Sequence, residues 1–385
     1  MKVMFYVQHL LGIGHLVRAS RVASALAADG QHVTMVTGGM AVAGFPAEQV
    51  SNVQLPPLRS SDESFSGLAD DQGREAGDVY LERRKEALID AFDEIAPDCL
   101  IIEAFPFARR QMRFELLPLL DHVKALPRAK RPMVVSSIRD ILQPKSQQRD
   151  VATALVIQDY FDLVLVHGDE RFATLDETFS SAGSIADKTV YTGMVAPDAA
   201  ASPDTDQYDV IVSAGGGAVG EDLLRASLAA RQLTSLNRAR WLIVTGPNLP
   251  DEAVSRLQAM ASQGIEIVRF RPDLAFLLRQ AKLSVSQAGY NTVADVLRAQ
   301  CSSVLVPFAA HGEQEQTLRA TRLEAAGLAV CVQSGELSPA ALARAIDAAC
   351  KQHGNQAADI LLDGAAATAG ILRDHHAVFK RGQSA

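Results

Sequence analysis

Short apolar runs that end in glycine-containing turns, each followed by a helix-length amphipathic stretch, recur along the 385 residues. That alternation makes the chain an α/β protein built on parallel strands. The first instance is a strand over 2–7, a helix over about 16–28, Gly30, and a strand over 32–36 that runs into Thr37-Gly38-Gly39. A helix closed by glycine between two such runs is a βαβ unit. Further strands are expected at 99–102, 133–136 and 163–167, each followed by a polar or glycine-containing turn. Residues 60–84 are polar and read as a mobile loop leading into a helix.

Between residues 196 and 207 the alternation stops, and Pro197 and Pro203 stand among small and acidic residues. This is linker chemistry. The pattern then restarts at 210–212, 241–244, 265–268, 283–285, 303–306 and 329–332. The expected organisation is therefore a first Rossmann-like domain over 1–195, a linker over 196–207 and a second over 208–362, with a cleft between the two lobes. Composition agrees with two packed cores: 48% of residues are hydrophobic and 21% charged, which excludes a disordered chain. Lys and Arg number 37 against 45 Asp and Glu, and a net charge of −8 gives no general attraction to a nucleic-acid backbone. The four cysteines form no C-x-x-C pair and read as reduced thiols. No run of about 18 apolar residues exists to span a bilayer, and the first apolar run breaks early into Gln8-His9. A cytoplasmic protein is the expectation.

Three glycine turns carry the chemistry. Gly12-Ile13-Gly14-His15-Leu16-Val17-Arg18 follows the first strand, but the third glycine of a dinucleotide fingerprint is Val17, and no acidic residue ends the second strand. What remains is a turn that presents His15 at a helix start, with Arg18 one helical turn later on the same side. A helix dipole there favours neutral imidazole, as a general base requires; a capping turn with a packed histidine is the alternative. The second turn, Ser213-Ala214-Gly215-Gly216-Gly217-Ala218-Val219-Gly220, precedes a helix and exposes backbone N–H groups suited to a diphosphate. It lacks the Lys-Ser/Thr ending of a P-loop. The third, Ser286-Gln287-Ala288-Gly289-Tyr290-Asn291-Thr292-Val293-Ala294-Asp295, places Asp295 where a carboxylate can accept from both hydroxyls of a ribose. Downstream, Glu315 and Gln316 are residues of the kind that hold sugar hydroxyls.

This ordered set resembles the two-lobed glycosyltransferases of the GT-B fold, in particular the branch of the lipid-II-forming N-acetylglucosaminyltransferase. The likeness is strongest from about Ser286 to Gly327. It implies that the second lobe binds a nucleotide diphosphate sugar, usually UDP-linked, as co-substrate with no cofactor. By position, Asp295 would hold the ribose, Gly289 and Thr292 the phosphates, and Glu315 and Gln316 the sugar, with Gly215, Gly216 and Gly217 in the diphosphate loop and Ser286 and Asn291 also on the donor side. Arg271 falls where the family contacts the base, Gly14 on the first loop facing the donor, and His15 on the family's histidine near the reacting carbon. Residues 363–385 would form a helix that returns to the first lobe. Gln287 stands where an arginine is common and Asp295 where glutamate is usual, while the Gly14-His15-x-x-Arg18 form resembles nucleotide-sugar hydrolases of the same fold.

The acceptor side is read from strand ends: Arg18, Glu103, Arg109, Arg110, Arg139, Asp140 and His167. Residues 105–114 mix aromatics with three arginines, which suits an anionic or lipid-linked acceptor or a membrane surface, or equally an amphipathic core helix. The expectation is transfer of a hexose or N-acetylhexosamine from a UDP-sugar to a glycan, lipid-linked or small-molecule acceptor, without metal and without nucleic acid, with contact at the inner membrane face. A hydrolase and a non-catalytic sugar-nucleotide-binding regulator are the alternatives. Asp204-Thr205-Asp206 mimics a metal-binding D-x-D, but sits in the linker with no strand before it.

Overall fold

The computed structural model describes residues 1–10, 12–61, 67–198, 206–216, 219–351 and 360–384. The chain divides into two units, 1–195 with 363–385, and 196–362.

The first unit runs β1 (Lys2–Val7), α1 (Gly14–Ala28), β2 (His32–Thr37), β3 (Ser51–Gln54), β4 (Arg59–Ser60), β5 (Leu68–Ala69), α2 (Asp78–Ile95), β6 (Cys99–Glu103), α3 (Arg113–Ala125), β7 (Met133–Arg139), α4 (Gln147–Tyr160), β8 (Leu163–His167) and β9 (Thr189–Tyr191). β4 and β5 form a small antiparallel pair, and the other seven strands form one parallel sheet in the order β3-β2-β1-β6-β7-β8-β9. The central strands are apolar almost throughout because helices cover both faces, as parallel sheets require; β6 and β8 are buried at every position. α1 buries Leu16, Ala19, Val22, Ala23 and Leu26, spaced three and four apart, on one stripe.

A buried ion pair braces this unit. Arg84 of α2 donates to Glu115 of α3 at 2.7 Å, and also to Gly38 O and Gln8 Oε1. Gly38 has no room for a Cβ, since one there would strike Gln8 and Arg84.

The second unit runs β10 (Val210–Ser213), α5 (Glu221–Ala230), β11 (Trp241–Val244), α6 (Asp251–Met260), β12 (Ile265–Val268), α7 (Leu274–Gln280), β13 (Leu283–Ser286), α8 (Tyr290–Ala299), β14 (Ser302–Leu305), α9 (Glu315–Ala325), β15 (Val330–Cys331) and α10 (Pro339–Ala349). Its six strands are parallel in the order β12-β11-β10-β13-β14-β15. Trp241, fully buried, anchors a core with Leu224, Ile243, Leu283, Leu342 and Ile346.

After Leu362 the chain re-enters the first unit as α11 (Gly364–Ser384). A short bridge joins Val195 to Asp363, Arg373 pairs with Asp29 at the end of α1, and Leu372 is fully buried. Among the described residues no helix is long and apolar enough to cross a membrane.

Candidate active site

Each sheet has one place where the strand order reverses, and ligands of open α/β sheets gather beyond the strand ends at such points. In the first unit the reversal lies at β1 and β6, which pair directly. The turn after β1 starts α1 with His15 as its second residue, and β6 ends on Glu103. The two side chains meet: His15 Nδ1 lies 2.9 Å from Glu103 Oε1. Arg18, one turn along α1, donates to that same oxygen. Ser137 on β7 donates to the other oxygen, Oε2, at 2.7 Å and lies 3.0 Å from His167 Nε2 on β8. His167 Nδ1 in turn lies 2.9 Å from Thr192 Oγ1.

The electrostatics assign the protons. Burial opposes charge on Glu103, but the Arg18 guanidinium and the bond from His15 outweigh it and bring the carboxyl down to about 2. Glu103 is therefore an anion, and His15 must donate to it through Nδ1–H, leaving the Nε2 lone pair for other work. Burial first, and then the nearby Arg109, lower His15 to about 3, so its ring is neutral near pH 7. His167 is also pushed to about 3, by burial and by Arg18. Because Ser137 gives its proton to Glu103, a neutral His167 donates Nε2–H to Ser137, while Thr192 Oγ1, which donates to Gly193 O at 2.8 Å, lies beside Nδ1.

Three acceptor-side expectations change accordingly. Glu103, His167 and Asp140 are completely enclosed, 1%, 0% and 0% exposed, so they touch no acceptor. Glu103 orients His15, and His167 orients Glu103. Asp140 accepts from Ile141 N at 2.7 Å and packs against Gly168. Arg18 is also buried, in service of Glu103. Arg139 and Arg109 are half-buried near the site. Arg109 donates to Gln8 O at 3.0 Å, and burial together with Arg139 lowers it to about 10. Arg110 is exposed on a single 3-10 turn.

The aromatic half of residues 105–114 belongs to the core. Phe105 and Phe107 are buried, and Phe107 meets Phe179 edge-on with ring centroids 5.0 Å apart. The ring face expected to lie on a membrane is thus absent from these two positions. Sequence reasoning passed over Ser137 and Thr192, single hydroxyl residues whose role depends on which strands become neighbours.

In the second unit the reversal lies at β10 and β13, whose last residues, Ser213 and Ser286, are register partners. The glycine turn after β10 bends through Gly215 at φ +77°, and Asn248 holds Gly216 O at 2.8 Å. A side chain at Gly246 would collide with Gly215 O, so two glycine turns pack backbone to backbone. Gly217 lies outside the described residues, as do Asp204 and Thr205 of the D-x-D sequence. Asp206 lies near Arg271 and Arg240, at 3.6 and 3.9 Å. Among the described residues no group of three or more His, Cys, Asp or Glu side chains could hold a metal.

After β13, Gly289 caps α8 without a side-chain cap, and among the described residues nothing lies within 4 Å of where its Cβ would be. The start of α8 thus opens onto free space, with the first-turn N–H groups and the positive end of the helix facing it. Ser286, fully buried, has a hydroxyl with no hydrogen-bond partner there. Asn291, Thr292 and Asp295 follow on α8, all half-buried. Glu315 and Gln316 are already engaged within the unit. Glu315 is 2% exposed and pairs with Arg319 at 2.9 Å, while Gln316 Oε1 accepts from Phe308 N at 3.1 Å. Arg319 donates to Ala288 O, so this pair fixes the 286–290 turn. Arg271 forms a double bond pair with Asp273, at 2.8 Å through Nε and Nη2.

The architecture is that of solved two-lobed glycosyltransferases. The chain superimposes on CalG4, the calicheamicin glycosyltransferase, with a TM-score of 0.60 at 16% identity, covering 98% of this chain and 97% of that one. MurG of Acinetobacter baumannii gives 0.60 at 16% identity, covering 97% and 100%. The fold is therefore GT-B. Residues 210–361, most of the second unit, match the glycosyltransferase family 28 C-terminal domain. The UDP-N-acetylglucosamine–N-acetylmuramyl-(pentapeptide) pyrophosphoryl-undecaprenol N-acetylglucosamine transferase of Brucella suis is 31% identical over 185 residues, 45% of this chain and 48% of that protein. The Brucella anthropi counterpart is 29% identical over 183 residues, 44% and 48%. The chain spans about half the length of the curated relatives it matches.

Proposed function

We propose that the protein transfers a hexose or N-acetylhexosamine from a nucleotide diphosphate sugar, UDP-linked, to an acceptor hydroxyl. The observation that carries this reading is a neutral histidine whose Nδ1 is tied to a buried anion while its Nε2 stays available. In the second unit the donor diphosphate lies at the start of α8 and along the glycine turn after β10. Ser286, Asn291 and Thr292 supply side-chain groups, and Asp295 takes the ribose hydroxyls.

The acceptor oxygen attacks the anomeric carbon as its proton passes to His15 Nε2. The bond from that carbon to the diphosphate oxygen breaks, and the nucleotide diphosphate leaves with the electron pair. Glu103 stabilises the imidazolium that forms, and the N–H groups of α8 stabilise the leaving diphosphate. This scheme asks nothing of a metal. Glu315 and Gln316 shape the donor turn in this reading, and sugar contact falls to the turn itself.

Calorimetry of UDP and UDP-sugars with the intact chain, paired with UDP release in the presence of acceptor, tests the proposal. Nucleotide binding together with acceptor-dependent release supports it. Release of UDP and free sugar at the same rate without acceptor assigns hydrolysis instead, and binding without any turnover assigns a sensor. Arg18 does not separate these outcomes, because its guanidinium serves Glu103 in each of them.

A further inference from the structure

β1 buries every residue from Val3 to Val7, and the next residue, Gln8, is only 1% exposed. An amide enclosed to that degree is stable only when each of its polar groups has a partner. Gln8 meets the condition in full. Its Nε2 donates to His9 O at 2.8 Å and to Leu58 O at 3.0 Å, and its Oε1 accepts from Arg84 Nη2 at 2.7 Å. Its own carbonyl accepts from Arg109 Nε at 3.0 Å, and Leu10 O accepts from Ser60 N at 3.3 Å. The main chain is thus held at residues 8, 9 and 10, where it leaves the strand.

The support behind this hold is rigid. Arg84 is fully buried and pinned in turn by Glu115 at 2.7 Å and Gly38 O at 2.8 Å, and Glu115 also accepts from Tyr6. The two glycines that follow β2 provide the room: a Cβ at Gly38 would overlap Gln8 and Arg84, and one at Gly39 would overlap the His9 ring.

What is held is the turn that carries His15. That turn has little to fix it locally, because Ile13 makes no side-chain cap on α1 and Gly12 and Gly14 add backbone freedom. Its position is set from its two ends. On the helix side His15 Nδ1 reaches Glu103 Oε1 at 2.9 Å, and on the strand side the Gln8 amide grips the peptide of His9.

We infer that Gln8 is a positioning residue: its amide, braced by Arg84, holds the end of β1 so that the turn delivers His15 to Glu103. The consequence for rate rests on the reading of His15 as general base, whereas the consequence for geometry does not.

The test uses the full chain with its histidines labelled with nitrogen-15. At pH 7 an Nδ1–H bonded to a carboxylate gives a downfield proton signal, and its loss in His15→Ala identifies the one that belongs to His15. Gln8→Met removes all three side-chain bonds at similar volume. Gln8→Glu keeps an oxygen for Arg84 and removes both donors, so it separates the grip on the turn from the contact with Arg84, and it serves alone if the methionine variant does not fold. The expected result is that the His15 signal is lost or displaced in both variants, while UDP affinity measured by calorimetry is unchanged. Release of UDP from UDP-N-acetylglucosamine should fall about tenfold in kcat. A lowered melting temperature with the His15 signal in place would mean that Gln8 serves stability only, and overturns the inference. A wild-type signal in Gln8→Glu also overturns it, since the two donors would then not be what holds the turn. If His15→Ala leaves UDP release unaltered, the base reading falls, and the proton signal still decides the role of Gln8.

Discussion

The two sheets reverse strand order in the same way, yet the chemistry placed at the two reversals is opposite in kind. At β1 and β6 the groups are side chains, charged and deeply buried, and they bond to one another in a chain from His167 through Ser137 and Glu103 to His15. At β10 and β13 they are largely backbone: glycine turns, the start of α8 and a buried serine hydroxyl awaiting a partner. Moving a proton needs a pKa set by neighbours, which only side chains supply. Cradling a diphosphate needs N–H donors and room, which a Cβ would reduce. Under the proposed reading the same topology serves two tasks, one through what is packed against it and the other through what is left out.

If that division is right, changes at the first reversal alter rate and stability while leaving nucleotide affinity alone. The largest effect is expected from His15→Ala, which should lower turnover by about 10²–10⁴-fold with an unchanged UDP dissociation constant, measured by steady-state kinetics and calorimetry on one preparation. Unaltered turnover would remove the base assignment. Next, Glu103→Gln leaves Arg18 buried without its counter-charge and should cost about 3–5 kcal/mol of unfolding free energy in a urea titration. A cost below about 1 kcal/mol would mean that the pair is solvated and that the network does not hold His15.

The third expectation concerns acid. His15 and His167 sit near 3 when folded and near 6.5 when unfolded, so between those values the unfolded chain binds more protons, and stability falls as pH falls. From pH 7 to pH 5 each should contribute a loss of about 2 kcal/mol. Glu103, near 2, has the same sign, but its share is lost only as pH drops below its unfolded value near 4.5. Urea titrations across this range should show the decline, with a shallower slope in His167→Gln. The smallest effect belongs to the second reversal: Asp295→Ala should weaken UDP binding by about 1–3 kcal/mol and leave the pH profile of stability in place. Weakened affinity in the His15 variant, or intact affinity in the Asp295 variant, would break the division.

Much of this arrangement could be read from the chain. The central strands are continuous apolar runs because two layers of helix bury them, and the glycine turns stand at their ends. The strands that escaped notice are edge elements. Ser51–Gln54 contains one apolar residue, and Thr189–Tyr191 is only half-buried, since an edge strand has a neighbour on one side alone. His15 and Arg18 were legible because their spacing is a helix repeat. The destination they share was not, because Glu103 lies 85 residues beyond Arg18 and only the pairing of β1 with β6 brings it there. The fates of Asp140 and Glu315 were hidden for a similar reason: a carboxylate at a strand end or helix start looks available until its cage is known.

The return of α11 to the first unit has a consequence for the order in which the molecule comes into being. In the sequence the second unit is inserted between the two segments of the first, and its two ends meet, with Ala196 N bonded to Leu362 O at 3.3 Å. During translation, residues 196–362 emerge as a contiguous block able to close its own sheet, while the first unit must wait for Arg373 to reach Asp29 and for Leu372 to cover α1. The lobe begun first is finished last. A chain ended after Leu362 would thus hold the whole second unit beside a first unit that lacks its last helix.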